Sequence, residues 1–95
     1  MRVKQFPVAK FRVGRILSTP NALSQLTSED ILIGIQRHQA GDWGDVSDAD
    51  RQKNEVALKQ GFRLWSVYHD ANGVKFWIIT EADRSATVVL MPEDY

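Results

Sequence analysis

The sequence predicts an α+β fold: an N-terminal strand, two to three short helices, then an antiparallel three-stranded meander packed on the helices. Three observations carry this reading. Thr19, Thr27 and Ser47 each stand where a helix N-cap belongs, and the last two have an acid, Asp30 and Asp50, three residues on. Asn72-Gly73, the strongest short hairpin signal, separates two runs rich in β-branched and aromatic residues. A third such run, Thr87 to Met91, is stopped by Pro92.

Taken in order, residues 1–9 show no period and include Pro7, so they read as an extended arm. Lys10 to Leu17 alternates apolar and basic residues like a half-buried strand, and its cations suit a sheet edge. Thr19 caps a short helix that begins at Pro20, where a missing amide proton costs nothing, and runs to about Leu26. Thr27 then caps a second helix. Ile31, Leu32, Ile35, His38 and Gln39 share one arc of it, and Gly41 ends it. Gly34 weakens that helix by roughly 1 kcal/mol relative to alanine, which points to close packing there. Ser47 caps a third helix with Ala49, Lys53, Val56, Ala57 and Gln60 on one face, closed by Gly61 with Phe62 folding back. Arg63 to His69 and Val74 to Thr80 form the hairpin. With Asn72-Gly73 as a two-residue turn, Tyr68 opposes Trp77 and His69 opposes Phe76. Glu81 to Ser85 turn the chain into the last strand.

At 95 residues this reads as one domain, long enough to bury about 60–65 % of its unfolded surface. The absence of cysteine excludes disulfides and thiolate metal sites. Apolar runs are far shorter than the roughly 20 residues a membrane span needs, so the expectation is a cytoplasmic protein without membrane contact. Net charge is zero, which removes long-range attraction for nucleic acid, although Arg2, Lys4, Lys10, Arg12 and Arg15 precede any acid. Those five cations are the candidate contacts should nucleic acid be the partner.

Several pieces resemble a family of small, uncharacterised bacterial proteins of plasmids and integrative elements. They are Thr19-Pro20-Asn21-Ala22-Leu23, Gly41-Asp42-Trp43-Gly44 after His38, Asn54 with Ala57-Leu58 and Gly61, Arg63 to Tyr68, and Trp77 to Ser85 continuing through Leu90 to Tyr95. The resemblance covers about four fifths of the chain. It implies a mobile-DNA context and no particular chemistry.

The stretch Arg37 to Val46 gathers His38, Trp43, two glycines, Asp42 and Asp45 between two helices. It is too short for a phosphate loop and follows a helix C-terminus, whose dipole repels anions. His38 on an apolar helix face reads first as a hydrogen-bonded structural histidine, because no metal-ligand set converges on it. Trp43 reads as a core plug, or, if exposed, as a binding hot spot together with Asp42, Asp45, Asp83 and Arg84. Trp65, Tyr68, Phe76 and Trp77 could form a base-stacking platform. A small ribonuclease or toxin would draw on His69 or Glu81 as base with Arg63 and Arg84 on the phosphate. No convergent catalytic set, metal site or cofactor motif stands out, and the strands carry more apolar surface than such helices cover. The favoured reading is a non-enzymatic module that binds another protein or forms a homodimer.

Overall fold

The computed structural model describes residues 8–95, so Arg2, Lys4 and most of the expected arm lie outside the described residues. The chain is α+β. Its elements are β1 (Arg15–Ser18), α1 (Pro20–Gln25), α2 (Ser28–Gln39), α3 (Asp48–Gln60), β2 (Leu64–His69), β3 (Lys75–Thr80), β4 (Ala86–Leu90) and a 3-10 turn (Pro92–Asp94). Strands β2, β3 and β4 form the antiparallel meander, and β1 joins it parallel to β4, giving a mixed sheet of order β1-β4-β3-β2. No helix of the described residues is long and apolar enough to cross a membrane.

The caps fall where the sequence puts them. The hydroxyls of Thr19, Thr27 and Ser47 accept from the amides of Ala22, Asp30 and Asp50 at 3.0–3.1 Å. Helix α2 closes in a Schellman arrangement: the Asp42 amide bonds the Arg37 carbonyl at 2.9 Å and the Gly41 amide bonds that of His38 at 3.1 Å. Gly34 is where α2 meets the sheet, since a Cβ there would stand 3.0 Å from Ile78 Cδ1 and 3.1 Å from Phe76 Cε2.

Four expectations are corrected. The first strand pairs only from Arg15 to Ser18, and Ile16 and Leu17 are exposed because β1 is a sheet edge. Leu32 and Val56 are more than half exposed: α2 turns Gly34, Ile35 and His38 inward, and α3 turns Asn54 and Ala57 inward. The hairpin register is shifted by one, so that Tyr68 opposes Phe76 and Val67 opposes Trp77. Asp70 causes the shift. Its side chain accepts from the amides of Asn72 and Val74 at 2.9 and 2.8 Å, and its backbone pairs with Val74 and Gly73. The turn is therefore Ala71-Asn72-Gly73 with Gly73 at φ +83°, a three-residue loop.

The register sorts the sheet's side chains. Leu64, Ser66, Tyr68, Phe76, Ile78, Thr80, Thr87 and Val89 share the face that the helices cover, and a core of Ala22, Leu26, Ile35, Tyr68, Phe76, Ile78, Val89 and Met91 forms there. A second, smaller cluster joins Trp43, Ala57 and Leu64. The edge of β2 is closed. Asn54 accepts from the Trp65 amide at 3.1 Å and donates to its carbonyl at 2.7 Å, while Trp43 and Asp45 bond the backbone of Val67.

Candidate functional site

The corner from Arg37 to Val46 is held on all sides. Arg37 grips Asp42 through two nitrogens at 2.7 and 3.2 Å and lies over the Tyr68 ring at 4.6 Å. This pairing holds the Asp42 carboxyl below, and the Arg37 guanidinium above, their ordinary ranges. Burial pushes the Tyr68 phenol up, and its hydroxyl donates to the Asp42 carbonyl at 2.6 Å. Gly44 has φ +75°, and a Cβ would collide with the Val67 carbonyl oxygen at 2.0 Å, so only glycine lets the corner run along β2. Trp43 is 3 % exposed, stacks on Phe11, meets His38 edge-on and donates its indole N–H to Glu55 at 2.8 Å. It plugs the core. Asp45 is exposed and lends its backbone amide to Val67.

His38 anchors a sealed polar chain. Its Nδ1 lies 2.6 Å from Ser66 Oγ and its Nε2 lies 2.8 Å from Thr80 Oγ1; Thr80 Oγ1 is 2.7 Å from Thr87 Oγ1, which donates to the Val13 carbonyl at 2.7 Å. The proton order follows by elimination. Because Thr87 spends its hydrogen on Val13, Thr80 donates to Thr87 and receives the His38 Nε2–H, leaving Nδ1 to accept from Ser66. All four side chains are 0 % exposed, and burial, reinforced by the charge of Arg84, pulls the His38 pKa down to about 3. A neutral histidine with both nitrogens engaged and no path to solvent ties α2 to β2 and β3. It has no route to a substrate. The link of Ser66, Thr80 and Thr87 to His38 is absent from the sequence-level expectation. Their one signal is hydroxyls at period-2 positions of apolar strands.

Arg84 is a clamp. One nitrogen donates to the carbonyls of Phe62, Glu81 and Ala82 at 2.6, 3.1 and 3.3 Å, and another to that of Ala57 at 3.0 Å. It thereby caps the C-terminus of α3, where the dipole favours a cation, from a backbone held at φ +62°. Asp83 accepts from the Ser85 amide at 3.0 Å, and the Ser85 hydroxyl first, then that amide, hold its carboxyl below the usual range. Arg63 reaches Glu81 at 3.4 Å and the Tyr95 hydroxyl at 3.0 Å. Of the residues proposed for a nuclease, Arg63, Glu81 and Arg84 gather at one end of the sheet. His69 pairs with Lys75 at the other end, about 20 Å away along β3. Among the described residues no group of three His, Asp or Glu side chains could hold a metal ion.

The sheet face opposite the helices is only partly open: Val67, Ile79 and Leu90 are buried, Trp65, Trp77 and Val88 are half-buried, and Leu17 is exposed. Reading across the strands, one row is Leu17, Val88, Ile79 and Trp65, and the next is Leu90, Trp77 and Val67. None of these belongs to the two helix-built clusters. Trp65 and Trp77 meet edge-on at 5.3 Å, Trp77 and Tyr95 at 5.6 Å, and together with Arg63 and Ile79 they line a hollow of about 290 Å³. The suggested aromatic platform is thus divided: Trp65 and Trp77 face outward, whereas Tyr68 and Phe76 are core. Tyr95, 72 % exposed, is a member the sequence did not single out.

Compared with protein-family models, curated proteins and solved structures, the chain gives no match. Its own geometry therefore carries the functional reading.

Proposed function

We propose that this chain is a non-enzymatic accessory protein of a mobile genetic element that acts by binding another protein chain, in host defence or in maintenance of the element. The observation that carries the reading is the outer sheet face. An antiparallel sheet with one covered face ordinarily turns polar residues outward, yet here the outward positions hold apolar residues, of which Trp65, Trp77 and Val88 stay half-exposed around buried Val67, Ile79 and Leu90. Tryptophan, tyrosine and arginine, the residue types that dominate interface energetics, come together at Trp65, Trp77, Tyr95 and Arg63. The fates of His38 and Arg84 favour binding over catalysis, since both spend their polar groups on the fold. The resemblance of its motifs to plasmid and integrative-element proteins supports the context.

The test is affinity capture of the tagged chain in a bacterial host, comparing wild type with Trp77→Lys, a change on the outer face. Wild type is expected to retain a protein chain, a second copy included, that Trp77→Lys loses while remaining folded. Equal retention by both, or cleavage of RNA by the purified protein, would overturn the reading.

A further inference from the structure

We infer that the hollow walled by Trp65, Trp77 and Tyr95 binds a small planar aromatic carboxylate, with the ring held among those side chains and the carboxylate on Arg63. The inference goes beyond the protein-binding reading and does not depend on it, since its ligand is a free small molecule.

The walls follow from the register. Trp65 pairs with Ile79 and Trp77 with Val67, so the two indoles are diagonal neighbours on the outer face, where they meet at 83° with centroids 5.3 Å apart. The third wall comes from the turn after β4. Asp94 accepts from the Thr19 hydroxyl at 2.6 Å, from Asn21 at 3.1 Å and from the Met91 amide at 3.0 Å, which fixes that turn on α1. Tyr95 is thereby set against Trp77 at 62°, and the buried Ile79 completes the lining. Three rings steeply inclined to one another leave a slot where a parallel stack would leave none. Its volume of about 290 Å³ lies at the lower end of the range for ligand pockets, about 300–1,000 Å³, and suits one ring or two fused rings.

Hydrogen bonding and charge select the ligand. Among the described residues the Trp65 indole N–H is the one buried side-chain polar atom without a hydrogen-bond partner. An unpaired buried donor is costly, and an acceptor brought alongside removes that cost. Arg63 is the second donor. It lines the hollow, is half exposed, and gives N–H groups to the Tyr95 hydroxyl at 3.0 Å and to Glu81 at 3.4 Å. The Glu81 contact is long beside the roughly 2.7–2.9 Å of a charge-assisted bond, so a ligand carboxylate at closer range displaces it. A cationic ligand is disfavoured, because the guanidinium already stands 5.9 Å over the Tyr95 ring. A polyanion is disfavoured too, since Glu93 and Asp94 adjoin Tyr95 in the chain and Glu81 adjoins Arg63. A flat ring with a single carboxylate meets the demands that remain.

The deciding experiment titrates the full chain with indole-3-carboxylate and follows the indole N–H resonances of its three tryptophans by NMR. Indole, which lacks the charge, and cyclohexanecarboxylate, which lacks the flat ring, are the comparison ligands. For a ligand of about twelve non-hydrogen atoms the expected Kd is roughly 10 µM to 1 mM. Trp65 and Trp77 should shift saturably, while Trp43, whose N–H is held by Glu55 in the helix-side cluster, should not. Each comparison ligand should bind at least about fivefold more weakly. Arg63→Gln should lower the carboxylate to the affinity of indole and leave indole within about twofold of wild type. Glu81→Gln removes the competing carboxylate and should tighten the charged aromatic ligand alone, by about threefold. Circular dichroism verifies that both variants fold. No saturable shift up to about 5 mM, a shift centred on Trp43, or an Arg63→Gln chain that still prefers the carboxylate over indole overturns the inference. A chain that shows no shift yet captures a protein through Trp77 loses the small-molecule site and keeps the protein-binding reading. Saturable shifts in a chain that captures nothing do the reverse.

Discussion

Acidification should weaken this fold well before its carboxylates titrate, because of His38. In the unfolded chain that imidazole has its ordinary pKa of 6.5, whereas burial in the folded chain pulls it down to about 3. The proton thus binds the unfolded state more tightly. The contribution is fully present above pH 6.5 and is lost as pH falls from there toward 3. Each pH unit in that window costs about 1.4 kcal/mol, so stability should drop by about 2.5 kcal/mol between pH 6.5 and pH 4.5. That is a large share of the ~5–10 kcal/mol typical of a small domain. Asp42, Asp83 and Asp94, all held below the carboxylate value of 3.8, add losses of the same sign only at lower pH. The assay is urea unfolding at pH steps from 7.5 to about 4.5, on wild type and on His38→Gln. The glutamine amide offers one acceptor and one donor to Ser66 and Thr80 but does not titrate. Wild type should show the slope and His38→Gln should lose most of it. A wild-type stability that is flat to within about 0.5 kcal/mol, or an unchanged slope in the variant, would refute the account of His38 as a sealed, neutral linker.

Two further perturbations test the framework around that linker. Asn54→Ala strips the Trp65 amide and carbonyl of their partners at the β2 edge and should cost about 2–4 kcal/mol by denaturant unfolding, and Asn54→Asp should cost no less, because it keeps the acceptor but sets a buried carboxylate oxygen against the Trp65 carbonyl. Arg84→Lys retains the charge at the α3 C-terminus, but one ammonium cannot span the carbonyls of both Ala57 and Phe62; a loss of about 1–3 kcal/mol in the same assay is expected, and an unchanged stability would remove the clamp role.

Local chemistry was the legible part of this chain. Thr19, Thr27 and Ser47 declare their helices because a cap needs only its own side chain and an amide three residues on. Gly34 likewise announced a close approach. The errors arose where a second element decides. Asp70 competes for the turn amides and displaces the hairpin by one residue, which no count of apolar positions reveals. Asn54 faces inward because the β2 edge needs a donor and an acceptor, a demand that its neighbours in sequence do not show. The partner of β1 is β4, some seventy residues further along the chain, and its parallel pairing leaves no local trace. The candidate site followed the same rule. His38 and Trp43 read as anchors from their neighbours in sequence, whereas the outer row of Trp65, Trp77 and Tyr95 exists only through the register and the return of the chain after Met91.

The closure of the β2 edge has a consequence for how the chain can fail. Growth of a sheet from molecule to molecule needs two open strands per copy, one to receive and one to offer. Here Asn54 and the Trp43–Asp45 segment occupy the backbone of β2 at Trp65 and Val67, leaving β1, with Arg15 on it, as the unpaired border among the described residues. Two β1 borders that met would use each other up. Edge-to-edge association of the folded protein is thereby limited to a pair, and fibre formation would first require α3 and the corner to be pulled away from β2.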